Sequence, residues 1–284
     1  MSENILSLAL RISRIRFWIY TGGTYVVGFA LGMGSWEAFL RPEYMIYLFY
    51  FFIPANIFIY GVNDYFDQET DKNNPKKDAQ EYRLEKKDEK GLFSLLAVVT
   101  GISLILLATQ ADLTAQLIFA SFLFLSFFYS APPLRFKEIP GIDFASNMLY
   151  IMPGIFGYYL ASGFLPPWFL ILAGFFHIAA MHLFSAIPDI GYDTKAGLRT
   201  TAVTLGERPS LILCLLFWTG LSMIVIPASG IHPAAFLVLI YPAVPLLLLL
   251  KRDHDIEKVY WYLPAINTTL GGLIFIAATL HTFG

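Results

Sequence analysis

The chain has 284 residues, of which 57% are hydrophobic and only 14% are charged, and its mean hydropathy is +0.61. Because a soluble domain carries about 25% charged residues, this composition indicates a membrane protein that crosses the bilayer several times. The net charge of −2 gives no overall field that would attract nucleic acid. A single cysteine, Cys214, excludes an internal disulfide framework.

Nine apolar segments are long enough to cross a membrane, which takes about 20 mostly apolar residues per helix. They are continuous apolar runs rather than alternating patterns, which predicts helices instead of barrel strands. We therefore predict an all-α fold, with residues 1–284 forming a single domain, one bundle of nine transmembrane helices and a cap of loops on the cytoplasmic side. The predicted spans are 15–33, 44–63, 92–110, 113–131, 143–162, 167–187, 210–229, 234–250 and 259–282.

The basic residues predict the orientation of these spans. All of the 19 Lys and Arg residues except Arg41 fall on one side of the predicted topology, and an excess of positive charge marks the cytoplasmic side. The N-terminus is therefore expected in the cytoplasm and the C-terminus outside. The two longest polar segments, 67–91 and 188–209, are then both cytoplasmic, so we expect the chemistry at the cytoplasmic face.

A first acidic cluster, NDYFDQETD at residues 63–71, follows the second predicted span. If the helix continues through it, Asp64, Asp67 and Asp71 share one face, and Asn63 shares a face with Asp67. Carboxylates stacked in this way repel each other, which favours a bound cation that neutralises them.

A second acidic cluster, PDIGYDTKAG, follows the sixth predicted span and places Asp189 and Asp193 at i and i+4. Its position four spans after the first cluster suggests an internal duplication of a four-helix unit around spans 2 and 6. Together the two clusters offer oxygen ligands to Mg²⁺, which commonly bridges carboxylates to substrate phosphates.

A third polar stretch, FFYSAPPLRFKEIPG, lies on the same predicted side. Tyr129 offers a hydroxyl group, and Arg135 and Lys137 offer cationic donors that suit a diphosphate. The alternative is a basic loop that only satisfies the positive-inside rule.

In this order, the segments NDYFDQETD, YSAPPLRFK and DIGYDTKAG with the trailing TTAVTLG resemble the motifs of the UbiA family of intramembrane prenyltransferases. The resemblance implies that Mg²⁺ ions held by the two acidic motifs bind an isoprenyl diphosphate. Ionisation of the donor then leaves a carbocation that a hydrophobic acceptor captures. By resemblance, the metal ligands are Asn63, Asp64, Asp67, Asp71, Asp189 and Asp193, and of these Asp67 and Asp193 are expected to be indispensable for catalysis.

The diphosphate is expected to contact basic and hydroxyl side chains on the same side of the membrane. The candidates are Arg14, Arg16, Tyr129, Arg135, Lys137 and Lys195. Three polar residues within apolar spans are candidates for the substrate pocket, namely Asn56, Asn147 and His182. For His182 the alternative is a hydrogen-bonded group of the core.

The opening SRIRFWIYTGGTYVVG, the NPKK segment and SAIPDIGYDTKAGLRTTA resemble the lycopene elongase branch of the family. That branch adds C5 units to a C40 carotenoid, so the resemblance implies dimethylallyl diphosphate as donor and lycopene as acceptor. A quinone precursor, a chlorophyll-type acceptor and an ether lipid are the alternative acceptors.

A transporter with an acidic ion site is the alternative from another functional class. Such a protein is expected to carry charges or Gly and Pro breaks near the middle of the bilayer. Here the acidic residues lie at the cytoplasmic ends of the predicted spans, which favours the enzyme.

Overall fold

A computed structural model describes residues 4–68, 82–250 and 255–283, apart from the side chains of residues 278 and 281–283. All regular secondary structure in these ranges is helical, which confirms the predicted all-α class. The α-helices are α1 Ile5–Ser13, α2 Thr24–Gly32, α3 Pro42–Phe52, α4 Pro54–Phe66, α5 Glu89–Ala108, α6 Leu113–Phe128, α7 Ile142–Ala145, α8 Met152–Ser162, α9 Trp168–Ala186, α10 Ile190–Lys195, α11 Thr201–Leu205, α12 Glu207–Ala228, α13 Ile240–Leu250 and α14 Ile256–Phe283.

Within the described ranges, six helical segments are long and apolar enough to cross a membrane, and α6 is a shorter apolar helix. The six are Pro42–Phe66, Lys86–Ala108, Trp168–Ala186, Glu207–Ala228, Pro233–Leu250 and Ile256–Ala277. They support a multi-pass membrane protein, whereas the predicted count of nine spans is not confirmed.

Four of the nine predicted spans, 15–33, 44–63, 143–162 and 234–250, are divided into shorter helical pieces in the described residues. The segment 15–33 consists of a 3₁₀ turn at Ile15–Phe17, a π-helical turn at Ile19–Gly23 and then α2. The segment 143–162 consists of α7, a 3₁₀ turn at Ser146–Tyr150 and α8. A hydropathy pattern records the apolar run but not these changes of helix type, so each segment was predicted as one continuous helix.

The second predicted span contains a break at Pro54, which starts α4 directly after α3 ends at Phe52. Proline has no backbone N–H and weakens the helical hydrogen bonding next to it. The side chain of the fully buried Asn56 donates hydrogen bonds to backbone carbonyl groups at this break. Its amide nitrogen lies 3.0 and 2.9 Å from the carbonyl oxygens of Phe51 and Phe52 and 2.7 Å from the Thr21 hydroxyl. These bonds give Asn56 a structural part in the break, and its predicted pocket role is untested.

The chain divides into two units. Unit 1 comprises Met1–Arg135, Met152–Leu165 and Ile274–Gly284. Its core is aromatic, and α2 packs closely on α8, since a methyl group at Gly28 would overlap the Gly154 carbonyl group. Small residues allow such a close approach between membrane helices. The largest fully buried aromatic side chains of this unit are Tyr25, Phe29, Tyr50, Phe51, Phe119, Phe122 and Phe156.

Unit 2 comprises Phe136–Ile151 and Pro166–Leu273. Its helices α9, α12 and α13 bring Phe184, Trp218 and Tyr241 together, with ring centroids 5.8 and 5.7 Å apart in the two successive pairs. The Tyr241 hydroxyl forms a 2.6 Å hydrogen bond with Asn267 Oδ1. The assignment of residues 1–284 to one domain and the internal duplication remain predictions.

Candidate active site

The first acidic cluster lies where α4 ends. The helix stops at Phe66, and Asp67 caps it with φ −102° and ψ 3°, so the helical face does not continue unchanged beyond Phe66. Asn63 and Asp67 still meet at i and i+4, where Asn63 Nδ2 donates to Asp67 Oδ2 at 2.5 Å. Asp64 and Asp67 are buried, with 2% and 4% of their surface exposed. Asp71 lies outside the described residues.

Arg14, which follows α1, is the main cationic partner of this cluster. Its Nη2 donates to Asp64 Oδ1 at 2.6 Å and lies 3.5 Å from Asn63 Oδ1. Its guanidinium carbon lies 4.6 Å from the centroid of the Tyr60 ring. Charge-assisted hydrogen bonds and cation–π contacts are both attractive in such a poorly hydrated place. Arg14 adopts a left-handed backbone with φ 50°, an arrangement that costs energy outside glycine and recurs at functional sites.

Arg135 and Ser130 approach the cluster from the segment that follows α6. Arg135 Nη2 lies 3.5 Å from Asp67 Oδ1, and this arginine is also left-handed, with φ 39°. Asn63 Nδ2 donates to the buried Ser130 hydroxyl at 2.9 Å. The sequence reasoning missed Ser130, although it stands inside the YSAPPLRFK motif. A small hydroxyl residue directly after Tyr129 was the available signal.

Of the other diphosphate candidates, two are exposed and two are half-buried. Arg16 is exposed in the turn after Arg14, and Lys195 is exposed at the end of α10. Tyr129 is half-buried as the residue that caps α6. Lys137 is half-buried in the 3₁₀ turn Phe136–Glu138.

The second acidic cluster is less enclosed than the first. Asp189 caps the N-terminus of α10, and Asp193 lies within that helix. The two are linked by a backbone hydrogen bond of 2.8 Å from Asp193 N to Asp189 O. Both residues are half-buried.

The two remaining pocket candidates lie in unit 2, and both relate to Asp143. The amide of the buried Asn147 donates to the Asp143 backbone carbonyl at 2.6 Å, so it holds its own turn. His182 is half-buried on α9 and interacts electrostatically with the Asp143 carboxylate. Asp143 is a second residue that the sequence reasoning missed.

The donor chemistry of the first cluster fits a divalent metal with a diphosphate. Among the described residues, no three His, Cys, Asp or Glu side chains form a ready metal cluster. Asn63, Asp64 and Asp67 nevertheless offer the hard oxygen ligands that Mg²⁺ prefers. Arg14 and Arg135 beside them supply the cations that a diphosphate needs. The groups at this end of α4 therefore suit a divalent metal that is bound together with an anionic ligand.

Comparison with known proteins agrees with this chemistry. The sequence model of the UbiA prenyltransferase family matches residues 21–263. The lycopene elongase/hydratase of Haloferax volcanii is 37% identical over 98% of this chain and 90% of its own length. The lycopene elongase/hydratase of Halobacterium salinarum is 38% identical over 92% of this chain and 95% of its own length.

A solved structure shares the fold along almost the whole chain. The UbiA homologue from Archaeoglobus fulgidus, determined with DMAPP and Mg²⁺, superimposes with a TM-score of 0.65 at 22% identity. The match covers 94% of this chain and 98% of that one. The chain therefore belongs to the UbiA prenyltransferase family and is a membrane enzyme that transfers a prenyl group.

Proposed function

We propose that this enzyme transfers a dimethylallyl group from dimethylallyl diphosphate to lycopene in a reaction that requires Mg²⁺. The choice of lycopene as acceptor is supported by one observation, the similarity along nearly the whole chain to relatives named lycopene elongase/hydratase. The short donor is supported by the related fold that was determined with DMAPP and Mg²⁺. A quinone precursor, a chlorophyll-type acceptor and an ether lipid are the acceptors that the test below compares.

In the proposed reaction, the bond between C1 of the prenyl group and the diphosphate oxygen breaks, and diphosphate leaves with the electron pair. A terminal double bond of the acceptor supplies the electrons for the new carbon–carbon bond to C1. The cation that remains on the acceptor then either loses a proton to form a double bond, or takes up water and releases a proton to form an alcohol. Dry apolar walls protect both cations from premature quenching.

The residues of the first cluster would stabilise the leaving group. Mg²⁺, when bound, supplies Lewis-acid neutralisation of the diphosphate charge. Arg14 and Arg135 add cationic donors, and their paired carboxylates keep both guanidinium groups in place. We propose the full ligand sets as predicted above, with the metal held by Asn63, Asp64, Asp67, Asp71, Asp189 and Asp193, and the diphosphate contacted by Arg14, Arg16, Tyr129, Arg135, Lys137 and Lys195.

The proposal includes the orientation of the chain in the membrane. The apolar runs predict nine spans, and the distribution of the 19 basic residues predicts a cytoplasmic N-terminus and an external C-terminus. The active site would then open to the cytoplasm, where soluble isoprenyl diphosphates are available. Reporter fusions at each terminus would check this, and equal cytoplasmic signals at both ends would contradict it.

The deciding experiment is reconstitution of the purified enzyme in lipid with lycopene, dimethylallyl diphosphate and Mg²⁺. We expect diphosphate release together with a product whose mass exceeds that of lycopene by one or two C5 units, with or without added water. Chelation of the metal should stop both. Parallel reactions offer the quinone precursor 4-hydroxybenzoate, a chlorophyll-type acceptor or an ether-lipid precursor in place of lycopene, and geranyl diphosphate as an alternative donor. Product formation from these substrates alone would overturn the proposed substrates, and no diphosphate release from any donor would overturn the proposed reaction.

A further inference from the structure

Asp143 carries a buried carboxylate that the proposed reaction does not use. None of its surface is exposed. Its Oδ2 accepts a 2.6 Å hydrogen bond from the backbone N–H of Thr201, and its Oδ1 accepts one from the Thr201 hydroxyl and one from Phe144 N. The Thr201 hydroxyl oxygen in turn accepts from Gly141 N at 2.7 Å. A buried carboxylate is tolerated when it is satisfied in this way.

These bonds form a clamp, defined as Asp143, Thr201 and Gly141, between two segments of unit 2. The first segment carries Lys137, in the turn shortly before Gly141. The second carries Asp193 in α10, and a 2.9 Å bond from Leu198 N to Asp193 O ties the following turn to that helix. The clamp thus connects a predicted diphosphate contact with a predicted metal ligand.

Burial shows why the second segment needs such an attachment. Every residue of 188–200 is half-buried or exposed. The flanking residues are buried, with Ile187 at 4% and Thr201 at 5% exposure. The acidic segment is therefore anchored in the protein interior at its two ends, and the clamp forms the second of these anchors. Functional groups have to be held within about 0.5 Å of their working geometry, and neighbouring hydrogen bonds provide that precision.

We propose that Asp143 is a positioning residue, which acts through Thr201 to hold the segment that carries Asp193 in register with the segment that carries Lys137. The inference rests on the proposed function, since it assigns to this clamp the placement of a metal ligand. Because none of the Asp143 surface is exposed, its part in this proposal is to position other residues. Outer partners of this kind typically change metal affinity by about 10- to 100-fold when they are removed.

The test is a Mg²⁺ titration of diphosphate release by full-length enzyme in lipid. Thr201→Val removes the clamp hydroxyl, whereas Thr204→Val on the same helix removes an exposed hydroxyl that donates to the Thr200 carbonyl. Thr201→Ser keeps the clamp hydroxyl. We expect Thr201→Val to raise the half-maximal Mg²⁺ concentration about 10-fold or more. Thr204→Val and Thr201→Ser should follow the wild type.

A clamp with only a structural role would lower thermal stability and the amount of active enzyme without moving the Mg²⁺ midpoint, and that result would overturn the inference. So would a Thr201→Val curve that coincides with the Thr204→Val curve. Asp143→Asn should shift the midpoint further, and if it fails to fold, Thr201→Val, which removes one hydroxyl, decides the question. A wild type that releases no diphosphate with Mg²⁺ would instead count against the proposed function.

Discussion

The two acidic segments of this enzyme are built differently. At the end of α4, Asp64 and Asp67 are buried, and arginine side chains approach both of them, with a shortest separation of 2.6 Å for Arg14 and Asp64. At α10, the capping Asp189 and the helical Asp193 are half-buried, and the segment around them is attached to the interior at its two ends. The first segment thus holds buried acids in ion pairs, whereas the second holds half-buried acids between two buried ends.

Because of this difference, the effect of a substitution on protein stability can be distinguished from its effect on turnover. When a carboxylate is buried beside a guanidinium group, removal of either partner lowers the stability of the fold, because it leaves an uncompensated buried group. A half-buried carboxylate keeps part of its hydration in the folded protein, so its removal should cost less stability than the removal of a buried one. Substitutions in the two segments should therefore have the same effect on turnover and different effects on stability.

The largest effect on turnover is expected for Asp67→Ala and Asp193→Ala. Each should lower turnover by about 10³-fold or more, because each removes a group that neutralises the leaving diphosphate. Asp67→Ala should also lower the thermal midpoint, and Asp193→Ala should lower it less, because Asp193 is less buried than Asp67. Differential scanning fluorimetry and diphosphate release measure the two properties, with the exposed Glu43→Ala as control. Near wild-type turnover in both variants would disprove the assignment of these carboxylates.

The next largest effect is expected for Arg14. Its side chain is 11% exposed, and the side chain of Asp64, its ion-pair partner, is 1% exposed. Arg14→Ala should destabilise the protein by about 3–5 kcal/mol, the usual result of breaking a buried ion pair from one side. The KM for the donor should also rise. Arg11→Ala is the matched control, because Arg11 is exposed one turn earlier and lies 5.8 Å from the Tyr82 ring. Equal unfolding midpoints for the two variants would show that the Arg14 pair contributes nothing.

The sequence predicted the parts of this comparison that depend on local spacing. Asn63 and Asp67 meet as the i, i+4 pattern indicates, and the apolar runs of α5, α9 and α12 were found within a few residues. Helix breaks were missed, since hydropathy does not distinguish a continuous helix from the 3₁₀ and π turns between Ile15 and α2.

Long-range partners were the least predictable part of the candidate site. Arg14 lies 50 residues from Asp64 in the chain, and Asp143 lies 58 residues from Thr201. No periodicity connects such pairs. Arg14 was selected only as one of two arginines by family resemblance, and Asp143 resembled an ordinary acidic residue at the start of a span. Its burial could be seen only in the folded structure.

The smallest effect concerns Ser130, the hydroxyl that accepts a hydrogen bond from Asn63 at 2.9 Å. Ser130→Ala should lower kcat/KM by about 5-fold, since a neutral hydrogen bond contributes about 1 kcal/mol and Asn63 would keep its bond to Asp67. Ser126→Ala is the matched control, because Ser126 is equally buried one turn earlier, on α6, and its hydroxyl has no hydrogen-bond partner among the residues that the structure describes. That variant should keep its activity. A loss in Ser130→Ala alone would show that the first segment is held by its neutral contacts as well as by its arginines, whereas equal losses would reflect general packing of α6.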